Sequence, residues 1–344
     1  MNSNKYVLIT SLKTNLLKVR FRCVINIIFN SILLFFFCMF FNKEQIKKFA
    51  NKIWEIYTYR TPKNYGHPSV NKSLIRGLKK LKIPFVINKI TSKTENVIVL
   101  WTTKDDFEIL AKLKREGKIK KLIISPVYAY PESEVYSLVA NSKDVDILLV
   151  ASEWAKKECI QKINDPKLHN RVVPWPSGVE LVRVEKDIEV QNSCICYFKQ
   201  SPVNNEILKI CNSFGIKTFI IEYSNYRFSE YIDKLKKSDF VIFFQSCVET
   251  QGLAIAEAWA QNKPTLLNYN TNDFGGTTSP YLTKMTGLYY KNMEELINLL
   301  TEYKQNPKVF LNQFTPRQWV EQNLSDEVTV KGLLELIDNI KTNS

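Results

Sequence analysis

The chain reads Ser246-Cys-Val-Glu-Thr-Gln-Gly-Leu-Ala-Ile-Ala-Glu-Ala-Trp-Ala260 in its second half, which places two carboxylates, Glu249 and Glu257, eight positions apart. A short, mostly apolar run at residues 239–244 precedes this segment, and a strand-like run at residues 265–268 follows it. Runs of this length predict buried strands. The local pattern is therefore strand, acidic loop, helix, strand, the repeating unit of a parallel sheet covered by helices.

Gly252 lies between the two carboxylates, where the helix is predicted to begin. Glycine lets a backbone approach a ligand closely, and the unpaired N–H groups of a first helical turn attract anions. Glu249 would lie at the carboxyl end of the preceding strand, and Glu257 about a turn and a half inside the helix. The arrangement suits an elongated ligand with hydroxyls and phosphates. A helix-capping Glu249 and a solvent-exposed Glu257 are the structural alternative.

This pattern resembles the signature of the retaining GT-B glycosyltransferases of family 4, which is Glu, seven residues, Glu, with an embedded Gly and a following Glu-Ala-x-Ala-x-x-x-Pro. The matching positions are Glu249, Gly252, Glu257, Ala258, Ala260 and Pro264. The resemblance covers about residues 62–340 and is strongest over residues 240–264. It implies an α/β fold of two Rossmann-like doubly wound domains that face each other across a cleft.

The length of 344 residues exceeds what one hydrophobic core usually supports, so two domains are expected. Strand-like and helix-like runs alternate from about residue 52 onward, starting with a strand at 53–57 and a helix at 68–81. Together with the resemblance, this predicts an N-terminal extension at 1–50, a Rossmann-like acceptor domain at 51–176, a Rossmann-like nucleotide-sugar domain at 177–325 and a C-terminal helix at 326–344.

Residues 24–41 form an uncharged apolar segment just long enough to cross a bilayer as a helix. Lysines and arginines flank it on both sides, which gives no orientation under the positive-inside rule. No small-residue cleavage site follows, which argues against a cleaved signal peptide. We predict an N-terminal apolar helix that spans the membrane or lies at its surface, unless the segment is an extension without function. The expected location is cytoplasmic, at the inner face of the membrane.

The formal net charge is +14, from 48 Lys and Arg against 34 Asp and Glu. Such an excess indicates nucleic acid, an anionic membrane or a polyanionic ligand as partner. Zinc-finger spacing and nucleic-acid motifs are absent from the sequence. We therefore expect no nucleic-acid partner and favour a membrane surface.

The seven cysteines, an odd number, lie mostly in apolar runs and indicate buried thiols in a reducing compartment. Cys194 and Cys196 would lie on the same face of one strand, which is poor geometry for a disulfide. The sequence shows no further metal ligand near them, and His67 and His169 are too few for a histidine-rich site. We expect no metal.

Lys199 follows a predicted strand at residues 193–198, at the end of the strand where open α/β sheets bind ligands. In the resemblance, a basic residue at this position neutralises the donor diphosphate, and a second lysine follows several residues later. This chain has Asn204 and Asn205 in that place instead. A solvent-exposed loop lysine is the alternative interpretation of Lys199.

Two segments of the first half match the family less closely. Gly66 and His67 would lie in the cleft, in a loop where the family carries a glycine-rich turn beside acceptor and donor, but a second glycine is missing. A lone loop histidine such as His67 is more often a surface residue than a ligand contact. Residues 173–180 resemble the family's crossing segment between the domains, with Glu180 in place of the usual Asp. The prolines and the glycine of this segment indicate a hinge between closing domains or an ordinary loop.

The resemblance implies transfer of a hexose-type sugar from a nucleotide diphosphate sugar to an acceptor hydroxyl, with retention at the anomeric carbon. Lys199 and the first N–H groups of the helix would stabilise the departing diphosphate, so neither a metal nor another cofactor is expected. Glu249 would orient the sugar hydroxyls, and Glu257 would hold the ribose. The remaining donor contacts would come from Gln251, Gly252 and Leu253. The acceptor would be a glycan or a lipid-linked acceptor in cell-surface glycan or glycolipid synthesis.

Other classes of protein fit less well. A nicotinamide dehydrogenase shares the α/β alternation, but no Gly-x-Gly-x-x-Gly turn follows a strand. An inverting GT-B enzyme needs a base in the first domain, for which His67 is the candidate, and the paired glutamates argue against it. A catalytically silent GT-B scaffold that binds a membrane or a partner protein stays open as the alternative, because one basic residue and one loop glycine are missing.

Overall fold

Two parallel β-sheets, each covered by helices on both faces, form the framework of the protein. The computed structural model describes residues 6–9, 66–87, 90, 95–100, 102, 104–125, 134–181, 190–223 and 227–340. Within these ranges, all strand pairings in the two sheets are parallel. The predicted α/β class with two doubly wound sheets is confirmed.

The first sheet contains six described strands. They are β1 (Tyr6–Ile9), β2 (Phe85–Ile87), β3 (Asn96–Val99), β4 (Lys121–Ile124), β5 (Ile147–Val150) and β6 (Val172–Pro174). The described helices of this half are α1 (Gly66–Lys80), α2 (Lys104–Arg115), α3 (Glu134–Asn141) and α4 (Glu153–Gln161), and a 3-10 helix (Pro166–Arg171) precedes β6. The spatial order is β2-β1-β3-β4-β5-β6. Because helices cover both faces, β3, β4 and β5 are buried along their whole length and are mostly apolar without alternation.

The second sheet contains five strands among the described residues, β7 (Ser193–Lys199), β8 (Lys217–Glu222), β9 (Phe240–Gln245), β10 (Thr265–Asn268) and β11 (Gly287–Tyr290). The helices of this half are α5 (Asn205–Ser213), α6 (Phe228–Lys236), α7 (Leu253–Ala260), α8 (Met293–Gln305), α9 (Pro307–Asn312), α10 (Pro316–Asn323) and α11 (Asp326–Asn339). The spatial order is β11-β10-β9-β7-β8. The predicted unit around residues 239–268 is therefore the described sequence β9, acidic loop, α7, β10.

The start of the first domain differs from the prediction. Residues 6–9, which we assigned to an N-terminal extension, form β1, and this strand lies in the sheet between β2 and β3. The run Tyr-Val-Leu-Ile is aromatic and β-branched, which suits a central strand, and Tyr6 is buried in the core. The predicted strand at 53–57 and the apolar segment at 24–41 lie outside the described residues. Across the ranges that the structure describes, no helix has the length and apolar character needed to cross a bilayer.

The C-terminal helix α11 packs against α1 of the first domain. Asp326, the first residue of α11, is fully buried and accepts two hydrogen bonds from Arg76, from Nε at 2.6 Å and from Nη2 at 3.0 Å. Gly77 allows the close approach of the helices, because a Cβ at this position would lie 2.4 Å from the Asp326 carbonyl oxygen. Val330 and Leu333 of α11 complete a core cluster of the first sheet. Helix α11, which follows the second sheet in the chain, thus packs on the first domain and connects the two halves.

Candidate functional site

Lys199 and Glu249 lie at the carboxyl edge of the second sheet, where the strand order reverses. β7 is flanked by β8 on one side and β9 on the other, and Lys199 at the end of β7 pairs with Gln245 at the end of β9. The chain leaves β9 through the acidic loop, which carries Glu249. Open α/β sheets bind ligands in the crevice at such a switch point.

The Lys199 ammonium forms a short ion pair with the Glu249 carboxylate in a shielded crevice. The side chains are 18% and 11% exposed, respectively. The ammonium also lies over the Tyr223 ring, 4.6 Å from its centroid. Burial alone would lower the pKa of Lys199, but the adjacent Glu249 carboxylate outweighs burial and holds that pKa above its usual range. The alternative of a solvent-exposed loop lysine is thereby excluded for this conformation.

Both backbone polar groups of Glu249 are fixed by neighbouring segments. Its N–H donates to the Thr277 carbonyl at 3.1 Å. Its carbonyl accepts a hydrogen bond of 2.9 Å from the indole Nε1 of Trp154, a residue of α4 in the first domain. Trp154 is buried, and the loop behind it fits closely because a Cβ at Gly276 would lie 2.9 Å from the Trp154 ring. The two domains therefore meet at the residue predicted to orient the sugar.

Gln251 fastens the acidic loop to the segment between the domains. Its side-chain oxygen accepts from the Ser177 N–H at 2.9 Å, and its side-chain nitrogen donates to the Ser177 carbonyl at 2.6 Å. Both residues are buried. The predicted hinge at 173–180 is thus held by two hydrogen bonds to the acidic loop, a connection that sequence spacing does not indicate.

Gly252 starts the helix α7 in the left-handed region, with φ of +80°, which favours glycine. The Gly252 carbonyl accepts hydrogen bonds from the N–H groups of Ile255 and Ala256, and these are the first hydrogen bonds of α7. The N–H of Leu253 belongs to the first turn, which lacks intrahelical acceptors. The Leu253 side chain packs against core clusters of both domains. The start of α7 consequently lies at the domain interface.

Glu257 faces helix α1 of the first domain, one turn further along α7. Burial raises the pKa of its carboxyl to about 8, and the positive charges of Arg76 and Lys72 on α1 counteract part of this rise. The Lys72 pKa is lowered by burial and by Arg76. Glu257 is thus in a partly dehydrated, cationic setting between the domains and does not behave as a carboxylate in free solution.

The remaining predicted residues lie at the N-terminal ends of helices. Gly66 and His67 are the first two residues of α1, which begins two residues earlier than predicted. Asn204 is the N-cap of α5, where its side-chain oxygen accepts from the N–H groups of Glu206 at 2.9 Å and Ile207 at 3.3 Å. The asparagine in the place of the family's second lysine therefore has a structural task.

Sequence reasoning missed the contribution of the first domain. Trp154 follows β5 closely, so its place at a carboxyl strand edge was a usable signal. Tyr281, whose hydroxyl donates to the Ala151 carbonyl at 2.5 Å, adds a second contact beside it. Lys72 and Arg76 gave no signal, because helical lysines and arginines are usually exposed.

Potential metal ligands cluster elsewhere. Within the described ranges, the group of side chains able to surround an ion is formed by the thiols of Cys194, Cys196 and Cys211. Side chains alternate along a strand, so Cys194 and Cys196 lie on the face of β7 opposite to Lys199. The candidate site and this thiol cluster are separate features.

No protein-family model matches the chain, and no curated protein matches it either. Solved structures do match. TarM superposes with a TM-score of 0.50 at 13% identity over 78% of this chain, which spans 58% of the length of TarM. HepE from Anabaena, in complex with UDP, matches with a TM-score of 0.50 at 12% identity over 76% of this chain and 88% of HepE. A glycosyltransferase from Rickettsia africae matches with a TM-score of 0.50 at 15% identity, over 78% of this chain and 88% of the other.

At these identities the likeness concerns the fold. The chain has the GT-B architecture, in which two parallel α/β sheets meet at their carboxyl edges. This confirms the architecture that the Glu249 to Pro264 pattern implied.

The raised pKa of Glu257 predicts a pH dependence of stability. Its folded pKa of about 8 exceeds the unfolded value of about 4.3, so ionisation is penalised in the folded state. The free energy of unfolding should therefore fall as pH rises from about 4.3 towards 8. Glu257→Gln removes this component, and its stability relative to wild type should rise between pH 5 and pH 8.5 by up to about 4 kcal/mol.

Urea denaturation at the two pH values measures this difference. Glu302→Gln, a change of an exposed glutamate on α8, is the control and should follow the wild type at both values. If Glu257→Gln also follows the wild type, Glu257 ionises as an ordinary surface carboxylate and the buried setting is wrong.

Proposed function

We propose that the protein is a glycosyltransferase that moves a hexose-type sugar from a nucleotide diphosphate sugar to an acceptor hydroxyl, with retention of the anomeric configuration. The observation that carries this proposal is the Lys199–Glu249 pair, held at the switch point of the second sheet beside the start of α7. A cation and a carboxylate a few ångströms apart suit a ligand with a diphosphate on one side and sugar hydroxyls on the other.

Lys199 is the group best placed to hold the diphosphate. An ammonium has three N–H donors, so one can remain on Glu249 while two bind phosphate oxygens. The first N–H groups of α7, beside Gly252, add donors and the positive end of the helix dipole, worth about 0.3–1 kcal/mol towards an anion in exposed settings. Charge that develops on the leaving diphosphate is stabilised in a crevice with little water.

The two glutamates bind different parts of the donor. Glu249, as a carboxylate, accepts hydrogen bonds from sugar hydroxyls and is held in place through both of its backbone groups. Glu257, whose pKa of about 8 keeps it largely protonated at neutral pH in the free protein, can donate one hydrogen bond and accept others. A ribose diol, with donors and acceptors on adjacent carbons, suits such a carboxyl group.

The proposed transfer step follows from the resemblance to the retaining GT-B glycosyltransferases and from the positions of Lys199, Glu249 and Glu257. The bond from the anomeric carbon to the phosphate oxygen breaks, and the acceptor oxygen forms its bond on the same face of the sugar. The acceptor proton passes to the leaving phosphate, so the products are the glycoside and the nucleoside diphosphate. Lys199 stabilises the negative charge as it grows, which is the part of the reaction that electrostatic preorganisation accelerates most.

Two further observations support the proposal. HepE, which shares the fold, binds UDP, and a structure from Rickettsia africae with the same fold is described as a glycosyltransferase. The net charge of +14 suits an anionic donor and an acceptor at an anionic surface. We therefore include a glycan or lipid-linked acceptor at the inner membrane face, and a role in cell-surface glycan or glycolipid synthesis, in the proposal.

Turnover of donor sugars tests the proposal. The full chain is incubated with UDP, GDP and ADP sugars, and release of nucleoside diphosphate is measured. One donor should turn over, and Glu249→Gln should lower kcat/KM at least about tenfold, which corresponds to about 1.4 kcal/mol of lost transition-state stabilisation. Glu302→Gln, on an exposed face of α8, should leave kcat/KM unchanged.

The opposite outcomes are informative as well. Equal turnover by wild type and Glu249→Gln would remove Glu249 from the site. If no donor is turned over and none raises the melting temperature, the silent GT-B scaffold becomes the better account. A donor that stabilises the protein without turnover would indicate that the acceptor is missing from the assay.

Trp154 should act as a positioning residue for Glu249. Trp154→Phe keeps a ring in the interface but removes the hydrogen bond to the Glu249 carbonyl, a change of about 1 kcal/mol. We expect kcat to fall about fivefold with little change in KM for the donor, because the loop loses its fixed position in the transition state.

Trp259→Phe is the matched control for this change. It also removes a buried indole hydrogen bond, of 3.0 Å to the Thr265 hydroxyl, but within the core of the second domain. Both variants should lose similar stability, and only Trp154→Phe should lose kcat. A parallel loss of kcat in both would reduce the role of Trp154 to general stability.

A further inference from the structure

Three thiols meet in the core behind the candidate site. Cys194 and Cys196 come from β7, and Cys211 comes from α5, which follows β7 in the chain. Their sulfur atoms all lie within 4.8 Å of one another, and the Sγ atoms of Cys194 and Cys211 are 4.0 Å apart. All three residues are buried, with at most 1% of their surface exposed.

The third thiol corrects the sequence interpretation. Cys194 and Cys196 lie on one face of the strand, as predicted, and we expected no further ligand near them. Helix α5 packs on this face and brings Cys211 to the pair, 15 residues after Cys196. Three sulfur ligands from two elements now converge on one point.

Apolar side chains surround the cluster. Ile207, Phe240 and Leu296 belong to the same core as the three cysteines. Hydrogen bonds with Cys196 and Cys211, together with burial, raise the pKa of the Cys194 thiol. The pKa values of the three thiols are shifted by the thiols themselves, by burial and, for Cys211, by a backbone hydrogen bond, with no cation of the described residues among the causes.

The absence of a neighbouring cation among the described residues restricts which ion can bind. Three thiolates with a monovalent or divalent ion would leave net negative charge in an apolar core, which is costly. Three thiolates with a trivalent ion give a neutral complex. The ion must also prefer sulfur, since the cluster offers three sulfur ligands and no oxygen or nitrogen ligand from the described residues.

We propose that Cys194, Cys196 and Cys211 form a binding site for a trivalent, sulfur-seeking arsenical such as arsenite. Trivalent arsenic is pyramidal, and two sulfurs bonded to it at about 2.3 Å lie about 3.4 Å apart, so the Sγ atoms of Cys194 and Cys211, 4.0 Å apart, need to approach by only about 0.6 Å. A wider pair of sulfur atoms needs an approach of at most about 1.4 Å. Rotation of buried side chains and a small shift of α5 on β7 supply it.

The reaction is a ligand exchange without oxidation or reduction. Arsenous acid carries three hydroxyl groups on arsenic. Three As–S bonds form, three As–O bonds break, and each thiol proton leaves with a hydroxyl group as water. The product ties β7 to α5.

Intact mass spectrometry of the full chain tests the proposal. The protein is treated with sodium arsenite in a phosphine reductant that contains no dithiol, and excess reagent is removed before measurement. The wild type should gain one arsenic and lose three hydrogens per chain, and a dithiol such as dimercaptopropanol should reverse the change. Cys211→Ala and Cys196→Ala should each lose this three-thiol adduct. Two separate variants keep the test valid if one of them does not fold.

Cys159→Ala is the matched control, because Cys159 is a buried free thiol of the first domain. It should keep the adduct. The proposal is overturned if the folded wild type gains no arsenic, or if Cys211→Ala and Cys196→Ala keep the same three-thiol adduct. Stoichiometric zinc retained by the wild type and lost from Cys211→Ala would show a dithiol or trithiol metal site and contradict the charge argument. Donor turnover is not part of the readout, so failure here leaves the proposed transferase activity unaffected.

Discussion

The ion pair between Lys199 and Glu249 in a nearly dry crevice is the constraint on which the site depends. A buried charge is costly unless an opposite charge compensates it, so each of the two side chains stabilises the other in this crevice. Compensation requires β7 and β9 to be neighbours with both carboxyl ends at one edge. The doubly wound order of the second sheet provides this, and it brings the start of α7 to the same edge.

The first domain takes part in the site by fixing the acidic loop. Trp154 holds the Glu249 carbonyl, and Gln251 holds the backbone of Ser177 between the domains. Further away, Arg76 and Asp326 join α1 to α11 through a partly buried pair of charge-assisted hydrogen bonds. Any rotation of one domain against the other therefore acts on the loop that carries Glu249. A ligand that closes the cleft would in turn stabilise the position of that loop.

Local features were predictable from the sequence, and long-range features were not. The unit from β9 to β10 was predicted because its strands, glycine and helix lie within 30 residues and each has its own signal. β1 was missed because a run of four apolar residues is too short to show a periodicity. Its partner strands also lie 79 or more residues away in the chain. Pairings such as Arg76 with Asp326 and Cys196 with Cys211 depend on the packed fold. A single sequence carries no signal for them.

Binding of the donor diphosphate by Lys199 is the central claim, and ligand affinity tests it most directly. Isothermal calorimetry measures binding of UDP, GDP and ADP to the full chain and to Lys199→Met, with Lys304→Met on the exposed side of α8 as control. We predict that one nucleoside diphosphate binds to the wild type and that Lys199→Met weakens this binding at least about tenfold, or about 1.4 kcal/mol. The control should bind the same nucleoside diphosphate as tightly as the wild type does. Equal affinity of the wild type and Lys199→Met would contradict a diphosphate site at the end of β7.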